Sequence, residues 1–302
     1  MQEPFPSLIH LRLELSTRDY GDAVPSLPGG FLGGFSPHLQ TLRLNYIAFP
    51  ALPKRLSSAT DLVRLELWEI LHSAWCISPE AIVSDLSLPV NLKSLAIGFV
   101  FIRSCPDMES RRSPPPIRVV LLSLTHFVFQ GSSKYLDDLL ARIYVPLLDT
   151  IIIAFFNQPL SDIPQLARLM RGTTRFQTLN EGHVTFNNYG VLLESLPQTI
   201  PLVEMSGFKI TFREYKWRHS CLAQALITLT SLFPSIYIVE RLYIYGIQYL
   251  SPRRDENITW PEILRPLTAV KDLCLEHPPC VSPPPDQHEL GIASRFTRFA
   301  IR

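Results

Sequence analysis

Leu39–Asn45 reads LQTLRLN and Leu62–Trp68 reads LVRLELW. Each stretch sets an apolar residue, two variable ones, an apolar, one variable and an apolar. The same order recurs as Leu8-Leu11-Leu13, Leu92-Leu95-Ile97, Leu124-Phe127-Phe129 and Leu148-Ile151-Ile153. It returns as Val239-Leu242-Ile244 and Val270-Leu273-Leu275. Val184-Phe186 and Phe208-Ile210-Phe212 are two degenerate matches in between. From Leu8 to Leu148 successive starts lie 31, 23, 30, 32 and 24 residues apart, and the last two lie 31 apart. The final two apolar positions are two residues apart, so their side chains share one face of a strand.

The segments between these strands carry apolar residues at spacings of three and four, the period of a helix. They are residues 50–61, 79–88, 133–144, 161–171, 218–233 and 260–270. Ser78-Pro79 is a helix start, with a capping hydroxyl before a proline in the first turn. Ser161 and Asp162 are expected to cap the fourth helix in the same way. The unit is strand, loop, helix, repeated about ten times. One unit alone cannot bury its leucine face; a stack of units can. The expected fold is α/β: a leucine-rich-repeat solenoid with parallel concave strands and convex helices. A doubly wound sheet also alternates strands and helices, but it gives no reason for a triplet at fixed offsets. The Asn or Cys usual three residues past the triplet is absent; Ser16, Ile47, Ile70, Val100, Ser132 and Phe156 stand there, so the repeats are irregular. The solenoid is expected over 1–276, without an N-terminal cap, and a Pro-rich irregular tail over 277–302.

Composition agrees with a packed chain. Of 302 residues 46 are leucine, and charged residues make up only 18%, which excludes disorder over most of the length. Glycine is sparse, at 13, which argues against a nucleotide-binding enzyme built on Gly-rich loops. The net charge is +1, so nothing pulls the chain as a whole toward nucleic acid or anionic lipid. Five scattered cysteines make no disulfide framework. No signal peptide and no apolar run of membrane-spanning length is visible. The expectation is an intracellular protein, cytoplasmic or nuclear, and a monomer.

Ser36–Ile70, Ile77–Phe99, Leu139–Phe156 and Leu264–Leu275 resemble the leucine-rich region of fungal F-box proteins, "LSSATDLVRLEL" most closely. The resemblance covers roughly Phe5 to Leu275. It implies repeats that hold a substrate for a cullin-type ubiquitin ligase. In that family an N-terminal F-box docks on a Skp-type adaptor. This sequence starts inside a repeat at Phe5–Leu8 with no F-box motif, so adaptor docking rests on the resemblance alone. The alternative expectation is a truncated, non-functional remnant of such a protein.

Chemistry is thinly represented. No phosphate-loop, dinucleotide, zinc-protease or nucleophile-elbow motif occurs. Cys274, His277 and Cys280, with His288 nearby, have zinc-compatible ligand types, but Cys274 falls on a strand and Pro278-Pro279 stiffen the path. Cys76 beside His72 reads as a small buried hydrophobe. Asp137-Asp138 read as the solvated side of a helix, and Arg111-Arg112 and Arg253-Arg254 as loop charges. No enzyme, cofactor or metal is expected.

Function is expected on the concave face. If the triplets point inward, alternate strand residues point out. These are His10, Arg12 and Glu14, then Thr41, Arg43 and Asn45, then Arg64, Glu66 and Trp68. Ser94, Ala96 and Gly98 follow, then His126, Val128 and Gln130, then Thr150, Ile152 and Ala154. The later strands present Lys209, Thr211 and Arg213, then Arg241, Tyr243 and Tyr245. Arg, Trp and Tyr dominate binding hot spots. The expected contacts to a protein partner are therefore Arg12, Arg43, Arg64, Trp68, Arg213, Arg241, Tyr243 and Tyr245.

Overall fold

The computed structural model describes residues 5–15, 36–47, 58–70, 78–100, 118–156, 163–177, 181–187, 190–195, 207–213, 240–245, 270–276 and 296–300. The chain is α/β and divides into two compact units, one of residues 1–156 and 163–173, the other of 157–162 and 174–302. The division falls within the span that the sequence reading treats as one domain.

In the first unit the triplets form strands in chain order. These are β1 (His10–Glu14), β2 (Thr41–Asn45), β3 (Arg64–Ile70) and β4 (Ser94–Phe99). A short β5 (Val119–Val120) precedes β6 (His126–Gly131), and a short β7 (Ile143–Tyr144) precedes β8 (Thr150–Phe156). β1, β2, β3, β4, β6 and β8 pair in parallel, each with the next, and β5 pairs in parallel with β7. Leu42, Leu65, Leu95, Phe127 and Ile151 share one register row; Leu44, Leu67, Ile97, Phe129 and Ile153 share the next such row. All ten are buried, Leu65 at 1% exposure. On β1 the equivalent Leu11 and Leu13 are half-buried.

Helices α1 (Pro79–Leu86), α2 (Ser133–Arg142) and α3 (Pro164–Gly172) occupy three of the segments with helical spacing. α1 packs on α2 and α2 on α3. Ser78 caps α1 as expected: its side chain accepts from the Ala81 backbone N–H at 3.2 Å, with Pro79 in the first turn. Ser132 caps α2 through the Tyr135 N–H. Ser161 and Asp162, the expected caps of α3, lie outside the described residues. The helix begins at Pro164 after Ile163, which makes no side-chain cap, and Asp137 of α2 accepts from the Gln165 N–H at 2.7 Å. The core between sheet and helices holds Phe99, Phe129 and Tyr135 in mutual ring contact, with centroids 4.7 to 6.1 Å apart. Gly131 leaves space for them; a Cβ there would lie 2.8 Å from Phe99 and 2.9 Å from Phe129.

The second unit departs from the simple repeat. It contains α4 (Thr174–Gln177), β9 (Glu181–Asn187), β10 (Gly190–Ser195), β11 (Gly207–Arg213), β12 (Arg241–Tyr245), β13 (Asp272–Glu276) and β14 (Phe296–Ala300). β9, β12 and β13 pair in parallel, but β11, whose degenerate triplet Phe208-Ile210-Phe212 was expected to stack between β9 and β12, pairs antiparallel with β10 instead. β10 carries no triplet and pairs antiparallel with both β9 and β11. β14 lies in the segment expected to be irregular and pairs antiparallel with β13. Of the expected helix over 50–61 only 58–61 is described, and it forms turns. The expected helices over 218–233 and 260–270 lie outside the described residues, Val270 aside. Among the described residues no helix is long and apolar enough to cross a membrane.

Candidate interaction face

The register places alternate residues of the first unit in three rows. His10, Thr41, Arg64, Ser94, His126 and Thr150 form one. Arg12, Arg43, Glu66, Ala96, Val128 and Ile152 form the second. Glu14, Asn45 and Trp68 begin the third, and Gly98, Gln130 and Ala154 end it. His10, Arg12, Glu14, Arg64 and His126 are exposed, Thr150 is buried, and most of the others are half-buried. Ala96 and Gly98 differ from the expected open middle: both are buried.

The arginines and glutamates on this face are paired with each other. Arg12 Nη2 lies 2.7 Å from Glu14 Oε2, and Arg43 Nε lies 3.0 Å from Glu14 Oε1. Arg43 Nη1 lies 3.1 Å from Glu66 Oε2, and Arg64 Nη1 is 3.9 Å from Glu66 Oε1. The Arg43 Nε contact is an ion pair without hydrogen-bond geometry. The hydrogen bond from Arg12 holds the Glu14 carboxyl below its ordinary range, helped by the charges of Arg12 and Arg43. Such exposed pairs add little to stability in water. Their larger effect is to fix the charges in place, which lowers the ordering cost when a partner binds.

Trp68, expected as an open contact, lies against the next strand. Leu67 pairs with Ile97 and Ile70 with Phe99, so Trp68 and Glu69 together oppose the single Gly98. A bulge of this kind bends a strand and re-aims its side chains. The indole lies on Gly98, and its Nε1–H donates to Glu66 Oε2 at 3.4 Å. Glu69 takes the left-handed conformation, φ 55°, as does Tyr46 at φ 58° one strand earlier. For such residues this costs roughly 1 kcal/mol or more each. The Tyr46 N–H donates to the Trp68 carbonyl at 3.2 Å. Burial pushes the Glu69 carboxyl up, and its hydrogen bond with Tyr46 works against that.

In the second unit the sequence singled out Arg241, Tyr243 and Tyr245 but not His183. The register sets His183 beside Tyr243. The imidazole stacks on Tyr243, with centroids 4.8 Å apart and planes 11° apart, and on Tyr245 at 5.9 Å and 6°. His183 Nδ1 is 3.3 Å from the Tyr245 hydroxyl oxygen. Three half-buried rings thus form one aromatic group. His183 escaped notice because its strand has a degenerate triplet; applying alternation to Val184-Phe186 would have found it. On the neighbouring antiparallel pair Lys209 Nζ lies 2.5 Å from Glu194 Oε1. Arg213 is the last residue of β11.

Asp137 and Asp138 correct another expectation. Instead of forming a solvated face, Asp137 reaches the next helix and Asp138 holds Arg142 of its own. Asp137 caps α3, and Asp138 Oδ1 accepts from Arg142 Nε at 3.1 Å. Arg142 is buried and also donates to Glu80 of α1. Cys274 is a free, half-buried cysteine on β13. His72, Cys76, Arg111, Arg112, Arg253, Arg254, His277, Cys280 and His288 lie outside the described residues. Among the described residues no three His, Cys, Asp or Glu side chains converge as metal ligands would. Searches for similar known families, curated proteins and solved structures return no significant match to this chain.

Proposed function

We propose that this chain is a non-enzymatic protein-interaction module with a leucine-rich-repeat solenoid fold. The in-register stacking of successive triplets supports the repeat reading, since a solenoid buries its core by repetition of one unit. One observation carries the functional reading. In each unit the alternate strand residues are held by contacts within that unit, the Arg12–Glu14–Arg43–Glu66 ladder in the first and the His183–Tyr243–Tyr245 stack in the second. A surface already ordered before binding is what a specific interface needs. By its resemblance to fungal F-box proteins, the partner is a substrate of a cullin-type ubiquitin ligase, held in the cytoplasm or nucleus.

The test is affinity purification from the native cell with quantitative mass spectrometry, run on the wild type and separately on Arg64→Glu and Tyr243→Ala. A partner that copurifies with the wild type and is lost from a folded variant supports the surface that the variant alters. Recovery of a Skp-type adaptor in the same experiment supports the ligase link. A second reading, a remnant with no activity of its own, draws on the half-buried Leu11 and Leu13 of β1, which mark a weakly held strand. Low expression with no reproducible partner would favour it.

A further inference from the structure

Seven large apolar side chains are exposed among the described residues, and six of them fall on three successive turns of the first unit. Each turn leads into a strand through a buried leucine: Leu92, Leu124 and Leu148. Four residues before these stand Leu88, Val120 and Tyr144. Two residues before the first two stand Val90 and Leu122, and one before the third stands Leu147. The turns lie side by side. Val120 pairs with Tyr144 across β5 and β7, the Leu121 N–H donates to the Tyr144 carbonyl at 2.9 Å, and the Ser123 hydroxyl donates to the Val90 carbonyl at 2.9 Å. The six side chains therefore form a two-row apolar ridge along one flank of the repeats, apart from the rows of alternate strand residues. Core packing does not explain it: Val90 is 72% exposed and Leu122 62%.

We propose that this ridge is an isologous contact through which two copies of the chain pair. Three observations favour a second copy. The ridge exposes on the order of 500 Å², so two copies meeting face to face remove about 1,000 Å², the least a specific interface needs. No charged residue is among the six, and a net charge of +1 sets up no long-range repulsion between copies. The flanking charges are self-complementary. Lys93 follows the leucine of the first turn and Asp149 that of the third. A two-fold axis through the middle turn sets Leu88 against Tyr144 of the second copy and Lys93 against its Asp149, as an isologous contact requires. The proposal departs from the monomer that the sequence analysis expects.

Sedimentation velocity of the full chain from about 1 to about 100 µM tests it, since contacts of this size associate in the micromolar range. The expected result is a concentration-dependent monomer–dimer equilibrium that Leu122→Asp weakens tenfold or more, the worth of about 1.4 kcal/mol. Val90→Asp is a second variant at a more exposed site, and an unchanged circular dichroism melt shows that each variant keeps its fold. Lys93→Asp should weaken pairing, and Lys93→Asp/Asp149→Lys should restore it. A wild type that stays monomeric across the range overturns the proposal, leaving the ridge to a different protein. Dimers that persist unchanged in both folded apolar variants also overturn it.

Discussion

The indole of Trp68 lies directly on the backbone of Gly98, one strand away. A Cβ at Gly98 would sit 2.8 Å from Cζ3 of the ring and closer still to Cε3. No side chain is tolerated at that distance, so glycine on β4 and tryptophan on β3 are a matched pair. The pairing covers the middle of a face whose arginines and glutamates are already tied together.

Gly98→Ala is expected to displace the indole and destabilise the protein, by an amount in the 1–3 kcal/mol range of overpacking. The loss should appear in urea unfolding, with a shift in tryptophan emission. Trp68→Ala relieves the collision, so Gly98→Ala in that background should cost much less. A coupling below about 0.5 kcal/mol in the double-mutant cycle would contradict the contact.

Strand alternation makes a paired prediction at neighbouring positions. Leu65 is buried at 1% exposure and Arg64 is exposed. Leu65→Ala should cost roughly 2–5 kcal/mol and Arg64→Ala less than about 1 kcal/mol in the same denaturant titration. Equal effects would contradict the alternation.

Asp85 predicts an unusual pH dependence. It lies on the buried side of α1, its Oδ2 has no hydrogen-bond partner among the described residues, and burial pushes its carboxyl up from 3.8 to about 7. The folded state then holds the proton more tightly than the unfolded chain. Its contribution to stability therefore falls as pH rises from 3.8 to about 7, and below 3.8 the penalty vanishes. The penalty above pH 7 is at most about 4 kcal/mol. Asp85→Asn should raise the melting temperature at pH 8 more than at pH 5. An equal change at both would contradict the assignment.

Arg142 is buried between Asp138 and Glu80 and joins α2 to α1. Arg142→Ala takes one counter-charge from two carboxylates and should cost about 3 kcal/mol or more. Asp137→Ala, which removes the cap of α3, should cost about 1 kcal/mol. Thermal melts of the two variants should rank in that order. The reverse order would contradict the network.

What the sequence revealed and what it hid follow from range. Leu42, Leu65 and Leu95 announced their shared row because an offset of three and then two recurs along the chain, and a strand converts that offset into a face. The helices at 79–86, 133–142 and 164–172 showed through their period and, for the first, through Ser78-Pro79. The Arg–Glu ladder was within reach: once β1, β2 and β3 are aligned, Glu14, Arg43 and Glu66 become neighbours. Trp68 and Gly98 were not, because their contact depends on a bulge that no local signal marks. Asp137 was read as solvated because the helix that it caps begins 27 residues later. β10 and β14 pair antiparallel and carry no triplet, so the repeat pattern passed over them.

Methyl–methyl nuclear Overhauser contacts among labelled Leu and Ile residues test the register most directly, since paired residues on neighbouring strands lie about 5 Å apart. Leu42 should contact Leu65, Leu65 should contact Leu95, and Leu44, Leu67 and Ile97 should form a second such series, with no direct Leu42–Leu95 contact. Absence of these sequential contacts, or a strong Leu42–Leu95 cross-peak, would contradict the stacked strands and with them the interaction face.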